Sequence, residues 1–205
     1  MGRRTVGGAR SGGRRAGRDR RGSRGPDRGG RVPGAGRRSR CGCGGVGRRG
    51  RAAAAAGMVV ALEFLPWTGV ATFAAADDLV VATGADNATV LLDTFHWVRQ
   101  PGGPDLDRLR SVPGSRVAYV QLSEPSAAVP APEGAAIEAE AMTARRVPDA
   151  GGGGAVDFAA LWAALDHIGS VPFVAAEVFN TALAAEGMAA MAAAVHDGCR
   201  SVLPG

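Results

Sequence analysis

Four short, almost uninterrupted apolar runs constrain this chain more than anything else in it. They are MVVALEFL at 58–65, ATVLL at 88–92, RVAYVQL at 116–122 and PFVAAEVF at 172–179. Runs this short and this continuous read as strands covered on both faces, the habit of parallel sheets. Helical text lies between them. Residues 72–83 read as a helix closing on Gly84, and 104–110 as a short helix with Pro104 at its start. Residues 156–168 form an amphipathic helix carrying Leu161, Trp162 and Leu165, and 183–199 an alanine-rich final helix. Five alanines at 52–56 followed by Gly57 read as a helix end with a glycine stop. Residues 123–154, rich in Ala, Pro and Gly, read as a long irregular stretch. Strands alternating with helices imply a parallel sheet with helical crossovers, either an open doubly wound sheet or part of a (β/α)8 barrel. The glycines at 151–154 follow a loop rather than a strand, so they are no phosphate-binding fingerprint.

The ends of the runs decide between the two architectures. Each carries one oxygen side chain inside or just after its apolar text: Glu63, Asp93, Gln121 and Glu177. The first two separations are 30 and 28 residues, close to the roughly thirty residues of one barrel unit. The third, 56, contains the long loop. In such barrels the C-terminal ends of different strands converge on one site. The fold expected is therefore α/β, a partial (β/α)8 TIM barrel of about four βα units. Any one of these residues alone would read as a solvated or ion-paired group. Four at equivalent places read as an all-oxygen metal set, which suits Mn²⁺ or Mg²⁺. A carboxylate kept in text as apolar as VAAEVF also needs a charge partner, and a shared metal would serve both glutamates.

Composition explains why these patterns begin only at residue 52. The chain has no lysine, and 17 of its 24 arginines lie in 1–57, where Asp19 and Asp27 are the only acids, for a net charge of +15. Residues 58–205 carry −10, and all ten aromatic residues. Residues 1–51 thus lack the means to build a core and read as a disordered Arg/Gly-rich segment. Two functional readings compete there. An arginine tail binds nucleic acid non-specifically, but this one has no rings for base stacking. GC-rich DNA translated in a wrong frame also gives Arg, Gly, Ala and Pro, and the abrupt change near Arg51 favours that origin. Three cysteines, Cys41, Cys43 and Cys199, make no disulfide framework, so a reducing cytoplasm is the expected location. The longest apolar run, at 52–62, is too short to span a membrane.

The text LEFLPW at 62–67, LLDTFH at 91–96, VQLSE at 120–124, ARRVP at 144–148 and AEVF at 176–179 resembles the sugar phosphate isomerase/epimerase family of xylose-isomerase-like TIM barrels. The resemblance covers about 52–205 and corresponds to the second half of that barrel. It implies that Glu63 and Glu177 are metal ligands and also the acid/base pair on opposite faces of a small polyhydroxylated substrate. It implies that Asp93 is a ligand, that His96 contacts a substrate oxygen, and that Arg145 or Arg146 reaches a substrate hydroxyl, carboxylate or phosphate. Trp67 would wall the pocket or serve as ordinary packing. The fourth ligand position, usually His in the epimerases, is Gln121 here, which resembles the 3-dehydroshikimate and inosose dehydratase-like branch. The PG-x-G motif after the arginine is altered to Pro148-Asp149-Ala150-Gly151. The shared chemistry is proton abstraction beside a carbonyl, with the metal stabilising enediolate-like charge.

Two classes of function follow: a metal-dependent isomerase, epimerase or dehydratase, and a nucleic-acid-binding protein acting through the tail or an endonuclease IV-like barrel. The −10 charge of 58–205 disfavours a phosphodiester substrate. Four units leave two open sheet edges, so self-association of half barrels is expected, with poor solubility or inactivity of the chain alone.

Overall fold

The computed structural model describes residues 49–127 and 132–205. The arginine-rich text of 1–48, with Cys41 and Cys43, and residues 128–131 of the long loop lie outside the described residues. Residues 49–54, the first described, are helical. This helix ends where the glycine stop was expected. Gly57 takes φ 69°, its N–H donates to Ala54 O, and the Met58 N–H reaches back to Ala53 O. This pair of bonds satisfies carbonyls that a helix end otherwise leaves orphaned.

Four parallel strands follow in the order of the sequence: β1 (Val60–Glu63), β2 (Ala88–Asp93), β3 (Val117–Leu122) and β4 (Phe173–Ala176). The helices are α1 (Phe73–Thr83), α2 (Thr94–Arg99), α3 (Leu106–Arg110), α4 (Ala135–Thr143), α5 (Phe158–His167), α6 (Thr181–Ala185) and α7 (Met188–Val202). Local chemistry sets several boundaries. Thr72 caps α1 by accepting from the Ala75 N–H, and Gly84 closes it at φ 61°. Asp105, Asp157 and Asn180 cap α3, α5 and α6 in the same way.

Strand alternation separates two chemistries. One face of the sheet sends Val90, Leu92, Val120 and Leu122 into a core with Phe73, Val80, Leu109, Phe158, Leu161 and Leu165 from the helices. A register shift between Val90 and Leu91 turns Val117 into the same core. The other face carries Leu91 and Asp93, Tyr119 and Gln121, and Phe173 and Ala175, strand by strand. This second face is the one that becomes the interior when such a sheet closes into a barrel. Register then staggers the site residues. Glu63 lies level with Leu91, Asp93 level with Gln121 and Ala175, and Glu177 one step beyond β4.

Several expectations are corrected. β2 is buried almost throughout, but β3 is only half-buried at Ala118, Tyr119 and Gln121, β1 is half-buried throughout, and β4 is exposed at Phe173 and Ala176. Among the described residues β1 and β4 are the sheet edges, which leaves Val171 95% and Phe173 68% exposed. α2 has no counterpart in the sequence pattern, which offers no helix between the run at 88–92 and Pro104. α4 interrupts the stretch expected to be irregular. The expected final helix divides into α6 and α7 at Gly187, which takes φ 103°. Among the described residues, no helix is long and apolar enough to cross a membrane.

Candidate metal centre

The site grows from the end of β2. Asp93 is the last residue of the strand and the N-cap of α2. Its Oδ1 accepts from the Phe95 and His96 N–H groups at 2.7 and 3.1 Å. One oxygen is thus committed to starting the helix, and Oδ2 remains free to act elsewhere. The tight turn brings His96 beside its own cap, with Nε2 4.0 Å from Asp93 Oδ2. Glu63, at the end of β1, brings Oε1 to 3.4 Å from the same Nε2. One donor atom from each of Glu63, Asp93 and His96 lies within 4.8 Å of the others.

Glu177 approaches from β4. Its Oε1 accepts from Gln121 Nε2 at 3.3 Å, and its Oε2 accepts from Arg145 Nη1 at 3.0 Å. Burial pushes its carboxyl above the ordinary range; Arg145 opposes this, and the charges of Asp93 and Glu63 add to it. Arg145 lies at the centre, 2% exposed. Nη1 also donates to Asp93 Oδ2 at 2.6 Å, and Nη2 lies 3.2 Å from His96 Nε2. Its Nε donates to Ala141 O, at 2.8 Å. α4 supplies that carbonyl, and is itself held by the paired bonds of Arg99 to Glu140. The Phe95 and Phe179 rings flank the guanidinium at 5.1 and 5.3 Å.

The end of β3 is tied to the end of β2 by Thr94, which is fully buried. Its Oγ1 donates to Ser123 O at 2.5 Å and accepts from the Ser123 N–H at 3.0 Å. Trp67 lies edge-on to the His96 ring with centroids 5.1 Å apart. Arg146 takes no part in the cluster. Antiparallel backbone bonds pair it with Glu124, and its charge works against the burial that raises the Glu124 carboxyl. The other two histidines, His167 and His196, lie outside the cluster and are exposed.

The donors present fit a divalent ion. Glu63, Asp93 and Glu177 supply carboxylates and His96 an imidazole, while Gln121 Oε1 is a buried acceptor with no hydrogen-bond partner. The structure therefore gathers Glu63, Asp93, Gln121, Glu177, His96, Arg145 and Trp67, and sets Arg146 apart. Sequence reasoning did not anticipate the capping role of Asp93, the place of His96 within the donor group, or Ser123 beside Arg145. An Asp–His pair three residues apart across a strand–helix junction was the available signal for the first two.

No match was found among curated proteins. Solved structures share the fold. A zinc-bound IolI protein is 23% identical with a TM-score of 0.65, over 80% of this chain and 54% of that one. A xylose isomerase domain protein from Alicyclobacillus acidocaldarius subsp. acidocaldarius is 25% identical with a TM-score of 0.58, over 78% and 56%. An L-ribulose 3-epimerase is 22% identical with a TM-score of 0.53, over 77% and 50%. The chain spans about half the length of each. The family model described as xylose isomerase-like TIM barrel matches residues 45–194, most of the patterned sequence and every residue of the cluster. On that match, and on a parallel sheet that carries its polar residues at the strand ends, the chain belongs to the xylose isomerase-like TIM barrel family.

Proposed function

We propose that residues 52–205 form the C-terminal half of a divalent-metal-dependent sugar or sugar-phosphate isomerase/epimerase site, acting by proton abstraction next to a carbonyl. The observation that carries this reading is the convergence of Glu63, Asp93 and His96 donor atoms within 4.8 Å, with Glu177 reached from the other side through Arg145 and Gln121. Glu63, Asp93, His96 and Glu177, with Gln121 Oε1, would hold Mn²⁺ or Mg²⁺. Bound there, the ion would polarise substrate oxygens and stabilise enediolate-like charge.

The remaining roles belong to the chain's own side chains. Glu177, whose carboxyl burial raises while Arg145 opposes the rise, lies where it can pass a proton to or from a bound substrate. Glu63 projects from β1, at the opposite end of the cluster from β4, so the two glutamates can serve opposite faces of a bound polyol. Trp67 offers a wall for a sugar ring beside His96. Both edges of the described sheet are open, and pairing of two copies would supply the facing wall. Gln121 supports a second reading, a dehydratase-like lyase on the same scaffold: Gln121 Nε2 donates to Glu177, and an amide there cannot take up a proton as imidazole would.

The test is solvent-deuterium incorporation, followed by NMR, into ketoses and inososes incubated with the purified chain and Mn²⁺. Exchange beside the carbonyl is expected. It should vanish with chelator and with Glu63→Gln or Glu177→Gln, and persist in Glu186→Gln, an exposed control. Exchange unaffected by Glu177→Gln would sink the proposal. Water loss giving an enone chromophore would favour the lyase reading.

A further inference from the structure

The guanidinium of Arg145 is bonded to the same atoms that a metal ion would need. Arginine has only donors and keeps its charge. Its 3.2 Å approach to His96 Nε2 is therefore a hydrogen bond only when Nε2 offers its lone pair, with the ring proton on Nδ1. The same guanidinium holds Asp93 Oδ2 at 2.6 Å and Glu177 Oε2 at 3.0 Å. Asp93 has no spare oxygen, because Oδ1 is committed to the cap of α2. Three of the donor atoms assigned to the ion thus already face one buried cation. Glu63 Oε1 lies 3.4 Å from the same Nε2, so a fourth donor atom adjoins the guanidinium's partners.

We propose that Arg145 is a built-in competitor for the metal. The guanidinium and a divalent ion exchange for Asp93 Oδ2, Glu177 Oε2 and His96 Nε2. Loading the ion releases the Nη groups from the carboxylates, and like-charge repulsion keeps them off. The exchange has two consequences. Metal affinity is lowered by the protein's own side chain, and the arginine's donors become available to substrate oxygens only in the loaded site. The anchors of Arg145 allow this. Its backbone N–H is fixed on Phe179 O and its carbonyl by Asn180 Nδ2, so only the end of the side chain needs to move. This inference rests on the reading of the cluster as a metal centre.

The test is Mn²⁺ binding to the chelator-stripped full chain by calorimetry and EPR. Arg145→Met, which keeps length and loses charge and donors, is expected to bind Mn²⁺ at least tenfold more tightly than wild type. Arg145→Lys, which keeps the charge, is expected to stay within about threefold of wild type. Unchanged or weaker binding by Arg145→Met overturns the proposal and leaves the metal centre standing. No Mn²⁺ binding by wild type or either variant overturns both. Should Arg145→Met fail to fold, the unaltered protein decides. With ¹⁵N-labelled arginine, and the Arg145 signal identified from its loss in Arg145→Lys, saturating Mg²⁺ is expected to convert a rotationally locked guanidinium into a freely rotating one. A guanidinium that stays locked while the His96 ring signals shift with Mg²⁺ overturns the exchange.

Discussion

Asp93 caps a helix and neutralises a buried arginine with two different oxygens, so two substitutions can separate the roles. Asp93→Asn keeps an acceptor in the Oδ1 position and removes the charge. Asp93 is 0% exposed and Arg145 2%, and unpairing a buried ion pair costs about 3–5 kcal/mol. Glu177 Oε2 still holds the guanidinium at 3.0 Å, so the expected loss is at the low end, about 3 kcal/mol. Asp93→Ala loses the cap as well. Phe95 and His96 N–H would both lie buried without an acceptor, at a further cost of about 1 kcal/mol. A domain with about 5–15 kcal/mol of stability survives either change at 25 °C. The assay is urea unfolding followed by circular dichroism, with chelator present so that metal binding contributes nothing. A loss below about 1 kcal/mol for Asp93→Asn would mean that the pair does not stabilise the fold. Equal losses for the two variants would remove the capping argument.

Other perturbations probe the frame around the cluster. Thr94→Val removes the hydroxyl that stitches the ends of β2 and β3 and strands the Ser123 N–H and carbonyl. It should cost about 1–3 kcal/mol in the same urea assay, and a neutral result would refute the stitch. Gly154→Ala places a β-carbon where the Glu124 carboxylate lies, so overpacking of about 1–3 kcal/mol is expected. Gly69→Ala, with open space around it and, like Gly154, no positive φ, serves as the control for adding a methyl group without a clash. Burial pushes the Glu124 carboxyl up, outweighing the Asp149 N–H and Arg146. A raised carboxyl favours the fold while protonated, so its contribution is full below the ordinary value near 4.5 and is lost as pH rises through the folded value. Glu124→Gln should therefore gain stability over wild type at pH 7 and match it near pH 4, as read by melting temperature. A variant equally destabilised at both values would refute the assignment.

The parts of this molecule legible in its sequence share a physical trait: each is decided by neighbours in the chain. Gly57 and Gly84 mark helix ends because the closing residue must take positive φ, and both do. Glu63, Asp93, Gln121 and Glu177 could be aligned because parallel units repeat at nearly fixed length and the strand period sends alternate residues to one face. What escaped depends on contacts made elsewhere, or lacks local contrast. α2 has only six residues, too few to display a helical period, and its start is written by one aspartate that also reads as a ligand. α4 is alanine-rich on every side, and only Ile137 and Ala141, four apart, show which face is buried. The break at Gly187 lies in text so uniformly helix-forming that a single glycine gives little local contrast.

The choice between Arg145 and Arg146 shows where sequence stops deciding. Neighbours in extended backbone face opposite ways, so one of the two had to turn from the cluster. Which one did so is fixed across the fold. Backbone bonds between Glu124 and Arg146 set the register of the returning loop, and the Arg145 N–H bonds to Phe179 O from the far side. A one-residue slip of that pairing would bring Arg146 to Asp93 and Glu177 and leave Glu124 beside Arg145. Because either arginine could pair with the carboxylates, the ion pair does not choose between the two registers. The bonds of Arg145 N–H to Phe179 O, Arg145 Nε to Ala141 O and Asn180 Nδ2 to Arg145 O are the ones a slip would break. The register that delivers Arg145 to the site is thus held by neutral hydrogen bonds around it rather than by the charge it delivers.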